Sequence, residues 1–272
     1  MTESAAERWR RRLRGWAIPQ ELLEAVPDSP YEWPAELWRR RRSEGEESMT
    51  TGLVRGLLGP GGSLLDVGAG TGRASLPLAR EGHPLTAVER NRGMAEGLTA
   101  EAGELEVRLV EGSWPEAAAR VGPHQVALAA HVVYDVQDIG PFLEAMVGRA
   151  RRAVVLELTP AHPWSMLAPY YRALHELDRP EGPTVDDLAD VVREAFGVDP
   201  NVELWRRPGE RWFQDWEELV GFFGRRLVLP RPRWDELRGL MEPEVVDRDG
   251  RLFVGSEVRE LATLWWEVPV LA

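Results

Sequence analysis

Leu64-Leu65-Asp66-Val67-Gly68-Ala69-Gly70-Thr71-Gly72 is the stretch that decides how this chain is read. An apolar run ends around an acid and then turns through three glycines spaced by two. Glycine admits backbone angles and close approaches that a Cβ would block. Ala74 to Arg80 follows with a helical pattern. The unit is therefore strand, glycine turn, helix, the layout of a nucleotide-binding first crossover. The spacing is G-x-G-x-G, because Arg73 stands where a dinucleotide fingerprint has Gly or Ala.

The chain continues in the same rhythm. Pro84 to Glu89 is a second short apolar run ending in an acid, 17 residues beyond Gly72. Glu106 to Glu111, Val126 to His131 and Ala153 to Leu158 read as third, fourth and fifth strands, with helical patterns between them. Alternating strands and helices imply a parallel sheet covered on both faces. The expected fold class is α/β, a three-layer α/β/α sandwich around a mostly parallel seven-stranded sheet.

The glycine loop, with Asp66 two residues before its first glycine, closely resembles motif I of the class I methyltransferases that use S-adenosylmethionine, and the likeness extends loosely over residues 60 to 160. The resemblance implies S-adenosylmethionine as cofactor and S-adenosylhomocysteine as product. It places Gly68, Ala69, Gly70 and Gly72 against the methionine and ribose portions and Asp66 on the amino group. Glu89 falls where a carboxylate accepts bonds from both ribose hydroxyls, worth roughly 1.5–3 kcal/mol each. Arg90 and Asn91 flank it toward the adenine. Gly112, Ser113 and Trp114 form the loop expected beside the adenine. Here the chain departs from the family, which commonly has Asp where Ser113 stands. Trp114 packs either on the adenine face or in the core.

His131 and Tyr134 sit where the fourth strand opens toward the transferred methyl and are the candidate catalytic residues. A neutral imidazole is suited to deprotonating an amine or hydroxyl; the plain alternative is that His131 only shapes the pocket. His162, Tyr170, Tyr171 and His175 follow the fifth strand and are further candidates for its wall.

Composition prunes the alternatives. All 33 basic residues are Arg and there is no Cys. Thiolate nucleophiles, disulfides and zinc–thiolate sites are excluded, as are a cytosine-C5 mechanism and a Lys-Asp-Lys-Glu tetrad. No acid–His cluster suggests a metal. The net charge of −12 argues against a protein that coats nucleic acid. Residues 1–42 hold nine Arg against seven acids, a balance of +2, and the rest carries −14. The runs Arg8–Arg14 and Arg39–Arg42 read either as solvated, Glu-paired helix faces or as a grip on RNA phosphates. No apolar run is long enough to span a membrane, and a cytoplasmic protein is expected. The residues do not specify an oligomeric state.

Residues 1–48 are expected to form a helical extension, with helices from Ser4 to Trp16, after Ile18-Pro19, and from Ala35 to Arg42. Residues 49–272 should form the main domain. Helices are expected at Met49–Leu58, Trp164–Leu177 and Thr184–Ala195, and strands at Asn201–Arg206 and Leu261–Val268. The stretch of about 208–258 reads as a helical insertion covering the site. Twelve Trp, several in these flanking segments, serve either packing or an aromatic cage. The function these features support is methyl transfer to an O or N nucleophile of a small-molecule acceptor. The alternatives are an RNA or protein acceptor, and a silent S-adenosylmethionine-binding protein.

Overall fold

The computed structural model describes residues 3–26, 30, 48–208, 212–256 and 258–268. Strand β1 (Leu64–Val67) is buried at every position, as a strand covered on both faces must be. It pairs in parallel with β2 (Leu85–Glu89) and with β4 (His124–Ala130). β2 pairs in parallel with β3 (Val107–Glu111), and β4 with β5 (Ala150–Leu158). β10 (Val258–Glu267) then runs antiparallel between β5 and β6 (Asn201–Pro208). The order is β3-β2-β1-β4-β5-β10-β6, the seven-stranded, mostly parallel sheet expected.

Helices close both faces. On one lie α3 (Met49–Leu58) and α4 (Leu76–Arg80), whose Val54, Leu57, Leu76 and Leu78 pack with Leu64, Val126, Leu128 and Val155. The start of α3 is capped by the Ser48 hydroxyl, which accepts from Thr51 N, and Gly59 at φ 64° ends it. On the other face lie α1 (Ala5–Arg14), α6 (Ile139–Val147) and α8 (Val185–Phe196), with Trp9, Leu13, Phe142, Leu143, Leu188 and Val192 around Leu65, Val67 and Leu156. α2 (Gln20–Glu24) follows α1, and α5 (Arg92–Ala102) follows β2. The helix expected over Ala35–Arg42 lies outside the described residues.

The arginines of α1 are spent on docking. Arg8 Nε lies 3.2 Å from Asp187 Oδ1 and Arg8 Nη2 2.6 Å from Asp190 Oδ2, while Arg12 also pairs with Asp187. Trp9 Nε1 donates to Val136 O at 2.8 Å. Asp187 additionally completes the capping box with Thr184. Burial opposes ionisation of its carboxyl, but the bonds from Thr184, Arg12 and Arg8 outweigh it and hold it below its ordinary value. That stabilisation is present above the unfolded-chain value and is lost as pH falls through the folded one. Asp187→Ala leaves two part-buried guanidiniums short of a partner, and a loss of about 2 kcal/mol is expected. Thermal unfolding at pH 7 checks it; an unchanged midpoint would show that α1 is held by Trp9 and Leu13 alone.

The insertion is helical only in part. It holds α9 (Trp216–Arg226) and α10 (Trp234–Met241), but also β7 (Trp212–Phe213), β8 (Val245–Arg248) and β9 (Arg251–Val254) in a sheet of order β7-β9-β8. The reason is local. Asp249-Gly250, at φ 52° and 75°, forms the two-residue link between Arg248 and Arg251, and Asp-Gly is the turn whose twist suits a hairpin. Nor does this unit stand alone. α7 (Ala168–His175), which follows β5, gives Tyr170, Tyr171 and Leu174 to a core shared with Phe213, Phe222, Phe223 and Leu237. The Trp residues that are described serve mainly packing: Trp234 donates to Leu229 O, Trp266 stacks on Phe196, and Arg251 and Arg238 cover Trp212 and Trp216. Trp33 and Trp38 lie outside the described residues.

Candidate functional site

The strand order reverses between β1 and β4, and in open α/β sheets ligands bind in the crevice beyond the carboxyl ends of the strands at such a switch point. The glycine loop lines that crevice. Gly68 N and Ala69 N donate to Val88 O at 2.8 and 3.1 Å, which ties the loop to β2. Gly68, Gly70 and Gly72 all have positive φ, at 69°, 57° and 82°. At Gly68 a Cβ would lie 2.6 Å from a Val132 methyl, so no larger residue fits. At Gly70 a Cβ would meet nothing within 4 Å. The loop is closed on its protein side and open on its ligand side.

Glu89, buried at the end of β2, supports the loop from beneath. Its Oε2 accepts from Gly70 N at 2.8 Å and its Oε1 from Asn91 N at 2.7 Å. Each carboxylate oxygen has a second lone pair, so the group can still accept from a ligand hydroxyl. Asn91 is also the N-cap of α5, its Oδ1 accepting from Met94 N. Asp66 is the site's unexplained charge. It is 1% exposed, in no ion pair with any described residue, with the buried Ser75 hydroxyl as its neighbour. Burial pushes its carboxyl up to about 6. Burying a carboxylate outside an ion pair is costly, and a ligand cation or donor meeting it would offset that cost.

The expected adenine loop is less uniform. Gly112 N donates to Glu89 O at 3.0 Å. The space a Cβ would take at Gly112 is filled by Arg120, whose Nη2 donates to Glu111 O at 2.6 Å. Ser113 is exposed, and its carbonyl accepts from Ala117 N. Trp114 is turned to the core, with Nε1 donating to Phe142 O at 3.0 Å. Arg90 reaches across the crevice to an exposed ion pair with Asp135.

His131 sits in the left-handed region, φ 61°, and its amide donates to Glu157 O at 2.7 Å. That strained conformation turns the imidazole inward: Nδ1 is 2.9 Å from Tyr134 Oη, and Nε2 is 3.2 Å from Glu157 Oε1. Tyr134 Oη accepts from Thr159 N at 2.6 Å. Burial raises the Tyr134 phenol to about 12, so it stays protonated. Burial lowers His131, so it stays neutral near pH 7. For Glu157 burial works toward protonation, but His131, Arg73 and Thr50 outweigh it and hold the carboxyl well below its ordinary range. Arg73 Nη2 is 2.6 Å from Glu157 Oε1. An ionised Glu157 requires the proton on Nε2, so Nδ1 is the acceptor and Tyr134 its donor. Arg73 and Glu157 are functional candidates that sequence reasoning passed over; the signal was the Arg at the position after Gly72.

An aromatic row extends from here. Tyr134 meets His162 edge-on at 6.1 Å, and Trp16 stacks on His162 at 4.3 Å. Burial takes His162 down to about 4. The other aromatic candidates point elsewhere: Tyr170 Oη donates to Glu244, Tyr171 Oη to Arg226 O, and His175 Nε2 bonds Leu227 O. They tie α7 to the insertion. Among the described residues no group of acids and histidines is arranged to hold a metal, and no helix is long and apolar enough to cross a membrane.

No family model matches the chain, and no curated protein matches it by sequence. Solved structures do. One, described as the conversion of a disulfide bond into a thioacetal group during echinomycin biosynthesis, is 14% identical, with a TM-score of 0.52 over 93% of this chain and 94% of its own. A protein of Bacillus halodurans C-125, provisionally assigned as a methyltransferase, is also 14% identical, with a TM-score of 0.50 over 86% of this chain and 98% of its own. The chain thus has the Rossmann-like fold of class I methyltransferases, as the glycine loop and the strand order indicate.

Proposed function

We propose that this protein is an S-adenosylmethionine-dependent methyltransferase that methylates an O or N nucleophile of a small molecule and releases S-adenosylhomocysteine. One observation carries the reading: the buried Asp66 carboxylate, in no ion pair, beneath a glycine loop whose Gly70 is open to ligand and anchored by Glu89. The residues fit the cofactor. Glu89 would accept from the ribose hydroxyls, the backbone of Ala69 to Gly72 would line the nucleoside, and Asp66 would meet the amino group. When bound, the cofactor supplies an electrophilic methyl on a sulfonium.

The chain's own part is alignment and exclusion of water. His131, with Nδ1 taken by Tyr134 and Nε2 facing Glu157, has no lone pair to spare for a substrate proton. It orients the wall of the methyl site rather than acting as base. Tyr134→Phe removes the donor to Nδ1 and should lower kcat about fivefold, the worth of roughly 1 kcal/mol, with cofactor affinity unchanged. A loss of a hundredfold or more would restore a proton-transfer role to this pair.

In α1, Arg8 and Arg12 are held by Asp187, which weighs against one of the two arginine runs that favour an RNA acceptor over a small molecule; the run Arg39–Arg42 lies outside the described residues. The direct test is calorimetry with S-adenosylmethionine and S-adenosylhomocysteine, followed by transfer of labelled methyl to metabolite pools. Absence of binding to both nucleosides would refute the proposal. Because Asp66 is pushed up to about 6, affinity should fall as pH is lowered through that value. An affinity constant from pH 8 to pH 5 would remove Asp66 from the site.

A further inference from the structure

The far wall of the cleft carries charge that alignment of the cofactor leaves unused. β10 pairs with β5 only from Ala262 onward, while Val258 to Leu261 pair with β6 alone. At about 3.3 Å per residue, this two-stranded ladder stands ~13 Å proud of the edge where β5 ends. On it Arg259 lies directly opposite Arg207. One step along, Arg206 lies opposite Glu260 and the two form a 2.6 Å ion pair. The ladder therefore matches opposite charges on one face and like charges on the other, and like charges directly opposite destabilise a strand pair.

The mismatched face is the one turned to the site. Residues directly opposite share a face and alternate residues return to it. Arg259 and Arg207 thus share theirs with Thr263, and Thr263 lies opposite Glu157. Arg259 acts electrostatically on His131 and Tyr134, and Arg207 lies in the fields of Arg73, Arg259 and Glu157. Neither Arg207 nor Arg259 makes a hydrogen bond or ion pair with any described residue. The carboxylate they share, Glu157, is taken by Arg73 at 2.6 Å and faces His131. Partial burial, and after it the charges of Arg73 and Arg259, push Arg207 down to about 10. Among the described residues Arg73, Arg207 and Arg259 all feel the Glu157 carboxylate, and of the three Arg73 alone is ion-paired with it.

We infer that Arg207 and Arg259 form a docking point for a compact oxyanion, a carboxylate or a phosphate, carried by the methyl acceptor. Guanidinium forks match both groups in geometry. Bound there, the anion relieves the cross-strand repulsion and places the rest of the acceptor along the row of His131, Tyr134 and His162. The word acceptor rests on the methyltransferase reading; the anion site does not.

The test uses the full chain, with and without saturating S-adenosylhomocysteine, titrated at low salt with inorganic phosphate and separately with benzoate. Saturable binding of at least one is expected, weakened about tenfold or more in Arg207→Gln and in Arg259→Gln, with S-adenosylhomocysteine affinity unchanged. Preference for phosphate marks a phosphorylated acceptor and preference for benzoate a carboxylic acid. No saturable binding in the unmodified chain, or binding that neither variant weakens, overturns the inference. Should Arg259→Gln not fold, Arg207→Gln on the edge strand decides alone. Failure of the nucleoside to bind would count against the methyltransferase reading and leave the anion result standing by itself.

Discussion

Glu89→Ala is expected to weaken S-adenosylhomocysteine binding by about 30- to 150-fold, roughly 2–3 kcal/mol. Two effects combine. Bonds from both ribose hydroxyls to a charged acceptor are lost, and the amides of Gly70 and Asn91 lose the oxygens they donate to at 2.8 and 2.7 Å. The second effect loosens the open turn of the loop itself. Glu89→Gln separates them, since an amide oxygen still accepts from one amide while the charge is gone; its loss should be intermediate. Calorimetry on folded variants checks both. A Glu89→Ala protein of native affinity would mean that the nucleoside lies elsewhere.

Asp66→Asn should have opposite effects on stability and on binding. Asp66 titrates near 3.8 in the unfolded chain but is pushed up to about 6 by burial. Between these values the folded protein binds more protons than the unfolded one, so stability falls as pH rises across the interval and stays lower above it. Two pKa units correspond to about 3 kcal/mol. The asparagine variant escapes that loss. It should match the parent near pH 4 and exceed it by about 2–3 kcal/mol at pH 8 in the ligand-free state, while binding S-adenosylmethionine at least tenfold more weakly. Denaturant unfolding at the two pH values, paired with calorimetry, reads both. A variant less stable than the parent at pH 8 would show that Asp66 is already satisfied within the protein. Stability held back at one buried carboxylate is what a site prepared for a cationic ligand group should show.

The stabilising and site-forming features differ in how visible they were along the chain. The glycine turn, its acid and the Glu89 strand end are contiguous patterns governed by backbone sterics, so they were legible from residues alone. The central strands were too, because burial on both faces demands unbroken apolar runs. The small sheet of the insertion lies where helix is expected, although Asp249-Gly250 between the short apolar runs Val245-Val246 and Leu252-Phe253-Val254 is a hairpin signal. The last strand was expected from Leu261, and the structure begins it at Val258. Val258-Arg259-Glu260 has no apolar pattern because that segment overhangs the core.

The aromatic residues after β3 and β5 show the same division. Tyr170, Tyr171, His175 and Trp114 are chemically suited to a pocket wall, yet the structure commits them to α7, the insertion core and the backbone of Phe142. Nothing local distinguishes them from His162, which the fold stacks on Trp16 and sets edge-on to Tyr134.

By itself, then, the sequence determined the α/β class, the positions of the first strands and the glycine turn between β1 and α4, because each is enforced by local backbone geometry or by continuous burial. The tertiary structure alone decided that Arg73 meets Glu157 from 84 residues away, that His131 spends both ring nitrogens within the protein, that Asp187 holds α1 in place, and that Arg207 faces Arg259. These are meetings between side chains distant along the chain. Their chemistry depends on strand register and on charge brought out of water together, and neither is written in a residue's own neighbourhood.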